Sequence, residues 1–196
     1  MIVDLKTHPS EEASFINKAT VELNLEANKL SLSYRFLGEI GRLEIEHPRE
    51  GQEAQRTDNL WTKTCCELFI GKKTGSNYVE FNFSPNGNWS AYSFSAYRKD
   101  RCDLQISATP LIGSVYSNHE FRLNVSIDIT GWLSILCTKE AKNDMSLIQM
   151  GISAITRSNS GNQIHWALHH PRPYPDFHDS NSLTLDLNLN SNSKDH

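Results

Sequence analysis

The chain has 196 residues, a formal net charge of -4 and a pI near 6.0. This mildly acidic balance gives no global electrostatic attraction for nucleic acid, so we expect no nucleic-acid partner. The mean hydropathy is -0.50, and no run approaches the roughly 18 apolar residues of a membrane span, so we expect no membrane partner.

Length and cysteine usage predict one domain in a reducing compartment. A chain of this size buries enough core to be stable without disulfides. The stretch Met1–Ser14 lacks the basic start and long apolar run of a secretory signal, and the four cysteines show no C-x-x-C spacing. We therefore expect free thiols, a cytoplasmic location, a single domain over residues 1–187 and a frayed tail over 188–196.

The first predicted elements form a hairpin. Apolar and polar residues alternate over Thr20–Glu26 and Lys29–Leu37, and the two runs are joined only by Ala27 and Asn28. The charged segment that follows, Gly38–Asp58, is predicted to be a loop with one short strand at Leu43–Ile45.

The clearest strand patterns lie between Leu60 and Arg98. Three strands are predicted at Cys65–Ile70, Tyr78–Ser84 and Asn88–Phe94. The last two are joined by Pro85–Gly87, whose Asn-Gly pair is a strong hairpin signal.

Short strands continue to the end of the chain, and no long amphipathic helix is predicted. The later strands are expected at Asp103–Ser107, Glu120–Ile127, Ser146–Ile155, Gln163–Ala167 and Ser182–Leu187. One helical turn is possible in the polar segment Cys137–Met145. Strands at this spacing predict an all-β fold, an antiparallel β-sandwich or jelly roll of about ten strands.

Alternation gives the central strands one apolar and one polar-aromatic face. Tyr78, Glu80 and Asn82 share the polar face, and Glu67 faces the same way in the preceding strand if the two strands pair. Such a face can simply be solvated, as in many antiparallel sheets. The aromatic residues around it instead favour a groove for a sugar or a flat ligand, in which rings stack on C–H surfaces while carboxylates and amides bind hydroxyls.

Sequence motifs of common enzyme classes are absent, and two weaker constellations remain. Glu67 and Glu80 could form a carboxylate pair for glycoside hydrolysis. His170, Asp176 and His178 could bind a metal, but they lie in a proline-rich stretch and match no specific ligand spacing. We predict no metal there, and a rigid loop that lays aromatic and imidazole groups across the mouth of the sandwich.

Three blocks carry a family resemblance: LWTKTCCELFI, YVEFNFSPNGNWSAYSFSAYR and IHWALHHPRPYPDFHD. Together they resemble the bacterial DOMON-like proteins related to carbohydrate-binding module family 9, in the family's order from Trp61 to His178. The resemblance implies a β-sandwich whose pocket binds either sugar or haem. It favours a non-catalytic domain without a cofactor that binds a carbohydrate or a similar small polar ligand.

The resemblance also implies roles for individual residues. In the sugar-binding members two tryptophans enclose a terminal sugar ring, and Trp61 with Glu67 looks like one tryptophan and the strand glutamate. Arg98 looks like the family's arginine, and Gln163 with Trp166 looks like an amide and the opposing tryptophan. The predicted ligand-binding residues are Trp61, Glu67, Tyr78, Glu80, Asn82, Arg98, Gln163, Trp166 and His170.

Two alternatives stay open at this point. A glycan-acting enzyme would use Glu67 and Glu80 as its acid and base. A haem-binding module would need a methionine and a histidine as axial ligands, and Met150 with His169 or His170 is the pair that the sequence offers.

Overall fold

A computed structural model describes residues 1–11, 15–48, 51, 53–129, 131, 133–136 and 148–187 of the chain. Within these residues the chain forms twelve strands and one four-residue α-helix. The strands are β1 (Ile2–Thr7), β2 (Ile16–Glu26), β3 (Lys29–Gly38), β4 (Cys65–Lys72), β5 (Tyr78–Phe83), β6 (Trp89–Phe94), β7 (Cys102–Asp103), β8 (Leu111–Tyr116), β9 (Glu120–Asp128), β10 (Ile148–Arg157), β11 (Gln163–Ala167) and β12 (Leu185–Asp186). The helices are α1 (Leu133–Leu136) and three 3-10 turns at Ile40–Arg42, Leu60–Thr62 and Ser180–Ser182.

The strands form two antiparallel sheets that share β1. The first sheet has the order β8-β9-β3-β2-β1, and the second has the order β7-β6-β5-β4-β10-β11, with β12 beside one end of β10. Residues 2–5 of β1 pair with β2, whereas Lys6 and Thr7 pair with β11. The antiparallel β-sandwich predicted from the sequence is therefore confirmed.

The hydrophobic core lies between the two sheets. The first sheet contributes apolar side chains from alternate positions of β2, β3 and β9, and the second contributes those of β4, β5 and β10. Tyr34 is fully buried in this core, and its hydroxyl donates a 2.8 Å hydrogen bond to the carbonyl of Glu67. This bond fixes β4 against the opposite sheet while satisfying a buried polar group.

Both predicted hairpins form. Ala27 adopts a positive φ of 50° in the β2–β3 turn. Gly87 has a φ of 90° in the β5–β6 turn, where its N–H donates to the carbonyl of Ser84 at 3.0 Å. A positive φ carries no steric cost at glycine, which explains its place in the Pro-Asn-Gly turn.

Other predicted elements need correction. Strands β1 and β8 were not predicted. Only Leu43 of the expected strand Leu43–Ile45 pairs, in an isolated bridge to Ser158. The expected strand Asp103–Ser107 is reduced to β7, and the closing strand is a 3-10 turn followed by β12. The helical turn expected at Cys137–Met145 lies outside the described residues.

The second sheet carries a smaller apolar cluster on the face that points away from the main core. It contains Phe69, Tyr78, Tyr92, Phe94, Ile155, Ala167, Phe177 and Leu183, with Trp61 packed against it. Phe177 belongs to the proline-rich segment 168–179, which we call the covering loop. This loop makes the outer face of the sheet partly enclosed, and the candidate site lies there. No helix in the described part of the chain is long and apolar enough to cross a membrane.

Candidate functional site

Three polar side chains form what we call the floor of the site: Glu67 of β4 with Glu80 and Asn82 of β5. Glu67 pairs directly with Asn82 across the ladder, and Glu80 lies two residues earlier on the same face. Cross-strand neighbours of this kind have Cβ atoms about 4.5–8 Å apart. Their exposed fractions are 2% for Glu67, 5% for Glu80 and 0% for Asn82, so the polar face is enclosed and not simply solvated.

Hydrogen bonds hold the floor in one arrangement. The Asn82 amide donates to Oε1 of Glu80 at 2.7 Å, and the Cys65 thiol lies 3.8 Å from Oδ1 of the same amide. The hydroxyl of Ser153 in β10 donates to Oε2 of Glu67 at 3.3 Å. Fixed side chains of this kind bind a ligand without first losing conformational freedom.

The environment of the floor favours protonated carboxyl groups. Burial, and then the neighbouring Glu80, raise the pKa of Glu67 well above its ordinary value. Burial also raises the pKa of Glu80, against the opposing effects of the Asn82 hydrogen bond and the charge of Arg98. Two carboxyls that resist ionisation side by side can donate as well as accept hydrogen bonds.

An aromatic wall stands beside the floor. Asn59 adopts a left-handed conformation with a φ of 61°, which starts the 3-10 turn that carries the half-buried Trp61. The ring of Trp61 meets the ring of Tyr92 edge to face at 6.3 Å. Tyr92 is the cross-strand partner of Glu80, so this wall adjoins the buried carboxylates.

Polar groups hold Tyr92 in place. Its hydroxyl donates a short hydrogen bond to Oδ1 of Asp58. Burial, followed by this bond to a carboxylate, raises the pKa of Tyr92 to about 12. The guanidinium of Arg101 lies 4.7 Å from the centre of the Tyr92 ring, a cation–π distance.

Tyr78 and His178 connect the opposite side of the floor to the covering loop. The Tyr78 hydroxyl accepts the N–H of Arg98 at 3.1 Å and lies 2.7 Å from Nδ1 of His178. Nε2 of His178 lies 3.8 Å from Oε2 of Glu80. Burial and the charge of Arg98 lower the pKa of His178 to about 4, so its imidazole is neutral while it shares this hydrogen bond with the Tyr78 hydroxyl.

Arg98 anchors the covering loop through Asp176. The Arg98 guanidinium donates to Oδ1 of Asp176 at 3.0 Å, and the Tyr97 hydroxyl donates to Oδ2 at 2.7 Å. The Asp176 side chain is 1% exposed, whereas that of Arg98 is about half exposed. Arg98 lies in a left-handed conformation with a φ of 53°.

Gln163 supports the aromatic wall and does not reach the floor. Its side-chain amide donates to the carbonyls of Trp61 at 3.4 Å and Thr62 at 3.1 Å. These two bonds tie the 3-10 turn of Trp61 to the edge of β11.

Trp166 lies in the main core and not beside Trp61. Its indole lies 4% exposed in the main core, meets the Phe36 ring at 6.3 Å and donates to the Thr156 hydroxyl at 2.9 Å. Trp166 pairs with Ala154, whose side chain also faces the core, so it points away from Trp61. The expected pair of opposing tryptophans is not assembled.

His170 also lies apart from the floor. Its Nε2 lies 2.9 Å from the carbonyl of Lys6, and its ring meets those of His8 and Phe177. Burial lowers the pKa of His170. The side chain therefore fastens the covering loop to β1, and the structure does not bring it to the predicted ligand site.

The candidate haem ligands lie on different faces of the second sheet. Met150 is buried in the main core, on the face of β10 opposite to the covering loop. Met150 and His170 therefore cannot be the two axial ligands of one haem. In the described residues no group of three His, Cys, Asp or Glu side chains is placed to hold a metal ion. The side chains of His170, Asp176 and His178 contact, respectively, the Lys6 carbonyl, the Arg98 guanidinium and the Tyr78 hydroxyl.

Some residues of the site were missed at the sequence level. They are Asp58 and Arg101, whereas Asp176 and His178 were considered only as metal ligands and Tyr92 only as an aromatic beside the polar face. Alternation in the third central strand places Tyr92 on the polar face, so that residue could have been included in the site. The others lie in loops, where no periodic pattern indicates which way a side chain points.

Comparisons with known proteins give similarity of fold. No family model matches the chain, and no curated protein matches its sequence. A putative carbohydrate-binding protein from Bacteroides uniformis superposes with a TM-score of 0.66 and 11% identity, over 95% of this chain and 85% of that one. A family 9 carbohydrate-binding module from Caldicellulosiruptor kristjanssonii in complex with glucose has a TM-score of 0.49 and 7% identity, over 84% of this chain and 73% of that one.

Proposed function

We propose that this chain is a non-catalytic domain that binds a carbohydrate on the outer face of its second sheet. The observation that carries the proposal is the floor itself: Glu67, Glu80 and Asn82 are buried together beside an aromatic wall. Carbohydrates present hydroxyls that donate and accept, with apolar C–H surfaces between them, and this combination of groups complements both. We take residues 1–187 as the binding unit.

Each residue has a distinct role in this proposal. Trp61 and Tyr92 supply ring surface for the C–H face of the sugar. Glu67, Glu80 and Asn82 bind its hydroxyls once the covering loop moves aside, because the closed structure leaves these side chains at most 5% exposed. The remaining members position these groups: Gln163 holds the turn of Trp61, Arg98 holds the covering loop, and Tyr78 orients His178 toward Glu80.

The similarity of fold supports the same ligand class. The Bacteroides uniformis protein is named for carbohydrate binding, and it shares the sandwich over most of both chains. Membership of the DOMON-like proteins stays a prediction from the three sequence blocks.

A titration of intrinsic tryptophan fluorescence with a panel of neutral mono- and oligosaccharides tests the proposal. We expect a saturable change with at least one sugar, because Trp61 is half-buried against the site and changes environment when a ring stacks on it. The change should be absent in Trp61→Ala. A flat response of the intact protein across the whole panel would contradict the proposal.

Hydrolysis of a glycan is the second candidate function. The observation that favours it is the raised pKa of Glu67 and of Glu80, since one carboxyl held protonated at neutral pH is what a general acid requires. Glu67→Gln would then retain sugar binding and lose turnover. Release of reducing ends from a bound oligosaccharide by the wild-type protein is the measurement that separates this candidate from simple binding.

A further inference from the structure

A cleft of about 600 Å³ opens beside the candidate site, between the loop that precedes β4 and the β5–β6 turn. We call it the amide cleft, and its lining includes Glu46, Asp58, Asn59, Lys63, Asn86 and Asn88. Its volume lies within the range of about 300–1,000 Å³ that small-molecule sites have. We propose that this cleft binds a second unit of a neutral oligosaccharide whose first unit lies on the floor. The inference rests on the proposed function and extends it from a single sugar to a chain.

Asp58 connects the cleft to the floor. One of its carboxylate oxygens accepts the Tyr92 hydroxyl, and Tyr92 is the cross-strand partner of Glu80. Asp58 itself lines the cleft, and the turn of Trp61 begins at the next residues along the chain. A ligand that stacks on Trp61 is therefore adjacent to the mouth of the amide cleft.

The cleft offers hydrogen-bonding groups that are still available. The Asn59 side-chain amide is exposed and makes no hydrogen bond to a described residue. Asn88 uses its side-chain oxygen to accept the N–H of Gln55 at 3.1 Å, which leaves its amide NH₂ group to donate. Amides that donate and accept within one planar group suit vicinal hydroxyls, each of which also does both.

The charges of the cleft select against acidic ligands. Lys63 is paired with Glu46, and the Asn86 amide donates to the second oxygen of Glu46 at 3.3 Å. The cleft thus holds two carboxylates, Glu46 and Asp58, and one ammonium group that is already paired. A uronic acid or a sugar phosphate would meet this negative balance, whereas a neutral sugar would not.

Asn59→Gly is the variant that isolates the cleft. Asn59 has a φ of 61°, a conformation that glycine adopts without strain, so the variant removes the amide and keeps the turn. Asn118→Gly is the matched control, since Asn118 is exposed in the β8–β9 turn and does not line the cleft. Calorimetric titrations use glucose, galactose, mannose and xylose, each as the monosaccharide and as its β-1,4-linked di- and trisaccharide.

We expect the best disaccharide to bind at least tenfold more tightly than its monosaccharide, and Asn59→Gly to remove that gain while the monosaccharide affinity stays within twofold. The aldobiouronic acid that corresponds to the best disaccharide should bind several-fold more weakly. Equal affinities for mono- and disaccharide, a gain that survives Asn59→Gly, or a gain that Asn118→Gly removes as well, would overturn the inference and leave the proposed function standing. Absence of binding for every sugar would overturn both.

Discussion

At the scale of single residues, Glu67 is a group whose chemistry departs strongly from its ordinary behaviour. It is a carboxyl buried against a second carboxyl, with one serine hydroxyl as its donor. Burial and the neighbouring Glu80 disfavour its charged form more than the charge of Arg98 favours it, so the pKa of Glu67 is raised in the folded protein. Such a group is often found where a ligand later supplies the missing partner.

Glu67→Gln should be more stable than wild type, and the difference should grow as pH rises. Because the pKa of Glu67 is raised in the folded state, folding retains a proton that the unfolded chain loses above the ordinary value of 4.5. The contribution of the protonated Glu67 carboxyl to the free energy of unfolding is complete below that value and is lost as pH rises toward the folded pKa. Glutamine does not ionise, so the variant does not lose stability in this way. We expect the variant to exceed wild type by a few degrees at pH 8 and by less at pH 5, since about 2–4 °C corresponds to 1 kcal/mol in a chain of this size.

Thermal unfolding between pH 5 and 8 checks this expectation. Glu22→Gln, on the exposed outer face of the first sheet, provides the control. A difference between Glu67→Gln and wild type that stays the same at every pH would show that Glu67 is ionised in the folded protein.

His178 should remain neutral well below neutral pH. Burial and Arg98 lower its pKa to about 4 from 6.5, so the stability that its neutral form contributes is present above 6.5 and is lost as pH falls toward 4. In an NMR titration its imidazole resonances, assigned by their loss in His178→Gln, should stay at their neutral positions down to about pH 5. A midpoint near 6.5 would mean that the imidazole is solvated and not held by Tyr78.

At the scale of elements, the covering loop depends on a few polar anchors. Three prolines exclude regular structure there, so side-chain bonds must fix the loop. Asp176 receives bonds from Arg98, Tyr97 and the backbone of His178. This buried carboxylate is the point at which the loop meets the β6–β7 connection.

Asp176→Asn should loosen the covering loop. Asparagine keeps the shape but loses the charge and one acceptor, and a charge-assisted hydrogen bond contributes about 1.5–3 kcal/mol. We expect the lower part of that range because Arg98 is about half exposed and can be solvated. Amide hydrogen exchange should become faster over residues 171–180. Asp186→Asn, in an exposed pair with Lys73, is the control, and unchanged exchange in Asp176→Asn would argue against the anchor.

Element by element, alternation predicts more than the family resemblance does. It identifies the hairpins and places Tyr78, Glu80 and Asn82 on one face, as the structure has them. It also implies that Gln163 and Trp166, three residues apart on a strand, face opposite ways. The resemblance placed those two together, and the structure agrees with the alternation.

The strands that were missed have weak sequence patterns of their own. Strand β1 is short and pairs with β2 and β11, far apart in the chain, so its own residues carry little signal. Strand β8 exposes Leu111, Val115 and Tyr116, which breaks the alternation that marks a half-buried strand. Burial of the polar floor is likewise invisible in the sequence, because it results from the covering loop.

At the scale of the whole molecule, the two faces of the second sheet have different structural roles. The inner face builds the core with the first sheet, and the outer face builds the candidate site. Each tryptophan of the predicted pair belongs to a different face. The cytoplasmic location remains a prediction, supported only by the sequence.

Trp166→Phe should affect stability and leave binding intact. The change removes the hydrogen bond to Thr156 and part of a buried ring, which together cost about 1–4 kcal/mol. Urea denaturation measures the cost, and folded protein at low temperature should bind sugar as the wild type does. A folded Trp166→Phe variant with reduced affinity for sugar would show that Trp166 contributes to binding.

Isothermal titration calorimetry of wild type and Trp61→Ala, with the sugar that gives the strongest fluorescence response, tests the central claim most directly. We predict saturable heat for wild type and an affinity at least tenfold lower for Trp61→Ala, with an unchanged circular dichroism spectrum. Equal affinity of the two proteins would contradict the claim that the floor beside Trp61 is where the sugar binds.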